Sequence, residues 1–290
     1  MEDGFSLALR DSTVGIFGLG LMGGSLAMSL KGHCAHLIGF DSHLPTLELA
    51  LSKNIIDEAG SNSPLLTGER LGVRFDLLIL ATPVPSILYL LQQLPFLISS
   101  PCIVMDIGST KRDILQAMSS LPENFDPIGG HPICGKEKLG LENAEANLYQ
   151  NAPFVITSLT RTTQIAKSAA QQIVSAIGAN LIEMTAQEHD HILASTSHLP
   201  YLLASTLSHS TPHDFAPLIG PGFRSTSRLA GTPSHMMMGI LKSNRENVLK
   251  AIHSFRNSLT EFESALQDEN YTELESLLNQ SRNLYQQVVE

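Results

Sequence analysis

Cysteine is scarce in this chain: Cys34, Cys102 and Cys134 are the only three in 290 residues, and no two of them form a Cys-x-x-Cys pair. That excludes a small secreted fold stapled by disulfides and points to a reducing cytoplasm. Charge is sparse as well. Only 16% of residues are charged against 43% hydrophobic, which leaves too little polarity for a disordered chain. Positive charge is the scarcer sign, with 18 Lys and Arg against 28 Asp and Glu and a net charge of −10. No block of five basic residues occurs, so nucleic acid and anionic membranes would meet repulsion. The start, Met1-Glu2-Asp3-Gly4, lacks the basic and apolar regions of a signal peptide. Charge is missing altogether between Asp76 and Asp106, a length that would span a bilayer. Pro83, Pro85, Pro95 and Pro101 with Gln92-Gln93 divide that stretch into a strand, a helix and another strand, so it reads as buried core.

Residues 13 to about 128 carry short apolar runs, at 14–17, 37–40, 77–81 and 103–105 with a weaker one at 125–128, separated by helix-length stretches. The runs do not alternate, as expected of parallel strands covered on both faces. Repeated strand, helix, strand order implies right-handed crossovers and a doubly wound sheet. A further strand is expected at 154–157, a helix at about 162–177 and a short run at 181–184. Beyond Thr185 apolar residues recur every three or four positions through 189–209, 244–266 and 271–289, which reads as helical. The length exceeds one ordinary domain of roughly 100 to 200 residues. The expected plan is an α/β domain over residues 1–175 and an all-α domain over 176–290.

Gly18-Leu19-Gly20-Leu21-Met22-Gly23 directly follows the first run and opens an apolar helix. Glycines there allow a tight turn and let a pyrophosphate rest on the free N–H groups of the helix end, with Leu21 and Met22 supplying that end. The second run ends in Asp41, 21 residues after Gly20, where a carboxylate accepts from an adenosine ribose and repels the extra phosphate of NADP. The α/β part is therefore read as a Rossmann-type sheet that prefers NAD over NADP.

Two later strand ends carry further chemistry. Asp106-Ile107-Gly108-Ser109-Thr110-Lys111 lies at the carboxyl edge where open α/β sheets bind ligands, and it reads equally as a helix start with Ser109 or Thr110 as N-cap. Gly129-Gly130-His131-Pro132 ends the next strand, and a neutral imidazole there is poised to take a hydroxyl proton while hydride leaves the same carbon. Eleven histidines are present, and its strand-edge position singles out His131. No His-Glu-x-x-His occurs, and the adjacent His189, Asp190 and His191 point apart on a helix, so no metal site is assigned. In the helical part His198 is either a site residue or a hydrogen-bonded interior histidine. Arg224 and Arg228 are candidates to grip a substrate carboxylate, since arginine does so in bidentate fashion, or are surface ion pairs.

The chain resembles the prephenate and arogenate dehydrogenases of tyrosine biosynthesis. The shared set runs in order through the glycine turn with Gly23-Gly24-Ser25-Leu26, Ala81-Thr82-Pro83, the Asp106 to Lys111 segment, Gly130-His131-Pro132, Gly135-Lys136-Glu137, His189-Asp190, Ser197-His198-Leu199-Pro200 and 223–231. The resemblance implies a Rossmann domain, a helical substrate-binding and dimerisation domain, and oxidative decarboxylation of a cyclohexadienol with NAD(P). It implies His131 as proton acceptor with Ser109 beside it, Arg228 as carboxylate anchor, His198 at the substrate, and Thr82 and Pro83 at the cofactor. Two departures stand out. Tyr201 occupies a position where many members have a second histidine, and Met236-Met237-Met238 falls where many have tryptophan, a residue this chain lacks. Tyr201 as a neutral donor, and Glu137 as a carboxylate able to meet an ammonium, favour arogenate or acceptance of both substrates.

The reading is a cytoplasmic homodimeric NAD-dependent dehydrogenase acting on prephenate, arogenate or both, without nucleic-acid or membrane partners and without a separate regulatory or mutase domain. One rival is a β-hydroxyacid dehydrogenase, which looks for Lys followed four residues later by Asn or Asp. Here Glu246 follows Lys242 and Ser254 follows Lys250. The other rival is a non-catalytic NAD-binding sensor, which would not need His131 and Arg228 to converge.

Overall fold

The computed structural model describes residues 7–60, 73–136 and 138–289. Eight strands form one sheet: β1 (Thr13–Phe17), β2 (His36–Phe40), β3 (Glu58–Ala59), β4 (Leu77–Leu80), β5 (Cys102–Asp106), β6 (Phe125–Pro132), β7 (Pro153–Ser158) and β8 (Asn180–Glu183). Their order is β3-β2-β1-β4-β5-β6-β7-β8, and every pairing is parallel except β6 with β7. The antiparallel step was not legible in the sequence, and neither was the two-residue β3.

Successive side chains on a strand face opposite ways, and both faces of this sheet are covered. Val14 and Ile16 of β1 and Met105 of β5 join one core, together with Leu26 and Leu30 of α1 (Leu21–Leu30). Phe17, Leu78 and Leu80 join the other, against Ile87 and Leu91 of α2 (Val84–Leu97) and Ile114 of α3 (Arg112–Ser119). Double coverage explains why all four residues of β4 are buried and why its sequence does not alternate. The charge-free stretch is β4, α2 and β5, with Pro95 inside the helix, and no helix among the described residues is long and apolar enough to cross a membrane.

From β1 the chain first builds outward through β2 and β3, then returns to place β4 on the opposite side of β1. That reversal opens a crevice at the carboxyl ends of β1 and β4, the position at which such sheets receive ligands. Beyond β7, α4 (Gln164–Ala176) lies on the first core through Ala166, Ala169 and Ile173, and β8 then pairs with β7. The sheet thus extends past residue 175.

Helices follow. α5 (Ala186–Leu193) starts at a capping box in which Thr185 and Glu188 exchange hydrogen bonds, runs through one π turn (Ala194–His198), and continues as α6 (Leu199–Ser210). α7 (Pro221–Ser227) and α8 (Ser234–Ser243) complete the compact unit that ends at Asn244. A second unit, from Arg245, consists of the helical hairpin α9 (Arg245–Gln267) and α10 (Tyr271–Val289).

Candidate active site

The crevice begins at the glycine turn. Gly18 has φ +91°, which a side chain rarely tolerates, and a Cβ on Gly23 would sit 1.8 Å from the Gly18 carbonyl oxygen. A Cβ on Gly20, by contrast, would meet nothing within 4 Å, so open space faces the turn there. Gly20 is the N-cap of α1, no side chain caps the helix, and its first turn holds no acidic residue. These are the requirements of an anion held on backbone N–H groups, so the turn fits a pyrophosphate. Asp41 follows β2, and its Oδ2 accepts a hydrogen bond from the Leu19 N–H at 2.8 Å while Oδ1 accepts from the His43 N–H at 2.9 Å.

A cavity of about 300 Å³ opens beside the turn. Gly20, Leu21, Met22, Thr82, Pro83, Ser109 and His131 all line it, joined by Met236, one of the methionines that stand where many family members have tryptophan, and by His235, which the sequence did not single out. The Thr82 hydroxyl oxygen is buried and has no hydrogen-bond partner among the described residues, an unused group on this wall. Both observations suit a dinucleotide whose reactive end reaches His131.

His131 is the penultimate residue of β6, opposite Val155 of β7, and is half-buried. Its Nδ1 lies 2.8 Å from Nε2 of His189, and Nδ1 of His189 lies 2.8 Å from Oδ1 of Asp190. Asp190 in turn accepts from the backbone N–H groups of Lys111, at 2.7 Å, and Arg112, at 2.9 Å. The N-cap of α3 is therefore Lys111, capped from a distant helix by Asp190, and neither Ser109 nor Thr110 takes that part. Ser109 lines the cavity, and Thr110 shares a 2.8 Å hydrogen bond with Ser243.

Burial drives the His131 pKa well below its ordinary value, and the neighbouring His189, Lys111 and His198 push the same way, so the ring is neutral near pH 7. Burial works to raise the Asp190 carboxyl, but the His189 bond and the two backbone donors outweigh it and hold the group below the usual carboxylate range. Lys111 and Asp106 form an ion pair with no solvent exposure on either side chain. Burial pushes the amine down and the carboxyl up, and the pair is neutral in sum wherever the shared proton sits.

None of the remaining sequence candidates that are described lines the cavity. His198 is buried at the end of the π turn, its Nδ1 3.2 Å from the Asn244 amide nitrogen, which also donates to the Asp190 carbonyl at 2.6 Å. Burial lowers its pKa to about 4. Tyr201 is half-buried in the first turn of α6, and Arg228 is exposed at the start of the 3₁₀ turn that follows α7; neither lines the cavity. Glu137 lies outside the described residues. Among those described, no group of His, Cys, Asp and Glu is arranged to hold a metal ion.

Fold and cleft together define the class, an α/β protein built to hold a dinucleotide with a histidine on the wall of its crevice. Comparison with known proteins narrows it: the family model for the prephenate dehydrogenase nucleotide-binding domain matches residues 26–183, and that for the prephenate dehydrogenase dimerization domain matches residues 185–280. The chain belongs to the prephenate dehydrogenase family. It is 33% identical to the prephenate dehydrogenase of Lactococcus lactis over 85% of this chain and 69% of that one. With the Bacillus subtilis prephenate dehydrogenase it shares 30% identity over 82% of this chain, spanning 65% of the relative's length. Among solved structures, A. aeolicus prephenate dehydrogenase in complex with hydroxyphenyl propionate and NAD+ superimposes with a TM-score of 0.88 at 28% identity, covering 97% of this chain and 100% of that one. Synechocystis arogenate dehydrogenase superimposes with a TM-score of 0.79 at 30% identity, covering 96% and 100%.

Proposed function

We propose that the protein catalyses NAD-dependent oxidative decarboxylation of prephenate, arogenate or both, in tyrosine biosynthesis, as a cytoplasmic homodimer. The observation that carries this is His131: a neutral imidazole on the wall of the dinucleotide crevice, held from behind through Nδ1, with Ser109 on the same wall. NAD, when bound, supplies the hydride acceptor. Gly18, Gly20, Leu21, Met22 and Gly23 cradle its pyrophosphate, Asp41 reads the ribose, and Thr82 and Pro83 border its reactive end. His131 takes the proton of the ring hydroxyl at Nε2, with Ser109 orienting that hydroxyl. The C4–H bond breaks as a hydride, the hydroxyl carbon becomes a carbonyl, and the bond to the ring carboxylate then breaks. Its electron pair enters the ring and moves through it onto the carbonyl oxygen, which takes the proton back from His131 to become the phenol as CO₂ leaves and aromaticity is restored. The chain's work is orientation and charge placement.

Arg228, His198, Tyr201 and Glu137 are proposed substrate contacts on the family resemblance. Residues 1 to about 184 form the dinucleotide-binding part and the remainder the substrate-binding and dimerisation part, a boundary slightly later than 175 because β8 pairs within the sheet. Steady-state NADH formation with each substrate tests the proposal. Turnover of at least one supports it, and no turnover of either by a protein that binds NAD returns it to the sensor reading.

A further inference from the structure

We propose that Asp190, acting through His189, dictates which ring nitrogen of His131 carries the proton, leaving Nε2 of His131 bare toward the cavity. The inference rests on the reading of His131 as the base, and deepens it.

Donors and acceptors along this chain of contacts fix the protons. Both oxygens of Asp190 already accept from backbone N–H groups, Oδ1 from Lys111 and Oδ2 from Arg112, so the side chain is an ionised acceptor. A neutral imidazole has one N–H. Beside Oδ1 of Asp190, His189 must place that proton on Nδ1, which leaves its Nε2 as a lone pair. The 2.8 Å contact from that lone pair to Nδ1 of His131 then requires Nδ1–H on His131. With a single proton on His189, the opposite assignment sets the lone pair of its Nδ1 against a carboxylate. His189 and Asp190 are 0% and 1% exposed, so no bulk water relieves that clash. Asn244 fixes the far side by donating to the Asp190 carbonyl. His189 and Asp190 are positioning residues: neither lines the cavity, and both act through His131.

The direct test is ¹⁵N-histidine NMR of the resting protein near pH 7.5, which reads the protonated nitrogen of each ring. His131 is expected as the Nδ1–H form, and an Nε2–H signal from His131 overturns the proposal. Asp190→Asn is expected to turn its amide N–H toward His189, reverse both rings, and lower kcat by roughly 10²- to 10⁴-fold, as the corresponding change does in a serine protease triad. NAD affinity should stay near wild type. Full turnover with an unchanged spectrum overturns the inference. Because an amide there also faces one backbone N–H, the variant can fail to fold. His189→Gln and His189→Leu then decide. Glutamine offers an oxygen to His131 and an N–H to Asp190 and should keep kcat within about tenfold, while leucine should lose about 10²-fold or more; equal loss in the two overturns the proposal. His131→Asn in the same assay separates the failures. If it is active, the base assignment itself is wrong. If it is inactive while Asp190→Asn and His189→Leu turn over normally, only the positioning role is wrong.

Discussion

Asp41 is hydrogen-bonded to the glycine turn it serves: its Oδ2 accepts from the Leu19 N–H at 2.8 Å, across 22 residues of sequence. One carboxylate thus braces the glycine turn and is the proposed acceptor for the adenosine ribose. Asp41→Ser removes both the repulsion of a 2′-phosphate and the brace. Expected is a fall in the kcat/KM ratio of NAD over NADP, with NAD affinity itself reduced by several-fold. If the unmodified enzyme already uses both cofactors equally, Asp41 is not the determinant.

The second prediction concerns Gly23. A methyl group there would sit 1.8 Å from the Gly18 carbonyl oxygen and 3.0 Å from the Ala81 side chain, so turn and helix must separate. Overpacking of this kind costs about 1–3 kcal/mol, and the displaced N–H groups lose the anion. Gly23→Ala should fold with a lower Tm and bind NAD at least tenfold more weakly in calorimetry. Unchanged affinity would place the pyrophosphate elsewhere.

A third follows from the depressed pKa of His131. As the proposed base His131 works neutral, and lowering its pKa keeps it neutral into more acid solution. The acid limb of kcat/KM should therefore lie well below pH 6.5, with a plateau through neutrality. A limb centred at or above 6.5 contradicts the burial argument.

His198 gives a stability test. Its pKa falls from 6.5 unfolded to about 4 folded, so the unfolded chain binds the proton first as pH drops. Its contribution is fully present above pH 6.5 and is lost on the way down to 4, on the order of 3 kcal/mol in all. Urea unfolding between pH 7.5 and 4 should show a shallower loss of stability for His198→Asn than for wild type. Parallel curves would mean that His198 titrates normally in the folded state.

Legibility divided along sequence distance. Strands β1, β2, β4 and β5 were readable because burial on both faces leaves apolar runs that do not alternate, and the glycine turn because its chemistry is local. The place of His131 on the cavity wall was readable from its setting between two glycines and a proline at a strand end. His189 and Asp190 could be read as part of the shared family set and rejected as metal ligands, but their role could not, for what gives them meaning lies 58 residues away at His131 and 79 away at Lys111. β3 is two residues on an edge and leaves no periodic trace. His235 entered the wall through the fold of α8, which no local pattern announces.

The most direct test of the central claim is steady-state NADH formation by wild type and His131→Asn with prephenate and with arogenate, alongside NAD binding. Expected are turnover of at least one substrate by wild type, a loss of kcat of about 10²-fold or more in the variant, and NAD affinity little changed, because the proposed base acts in the transition state and the proposed cofactor contacts lie on the glycine turn. Near-normal turnover by His131→Asn would contradict the claim.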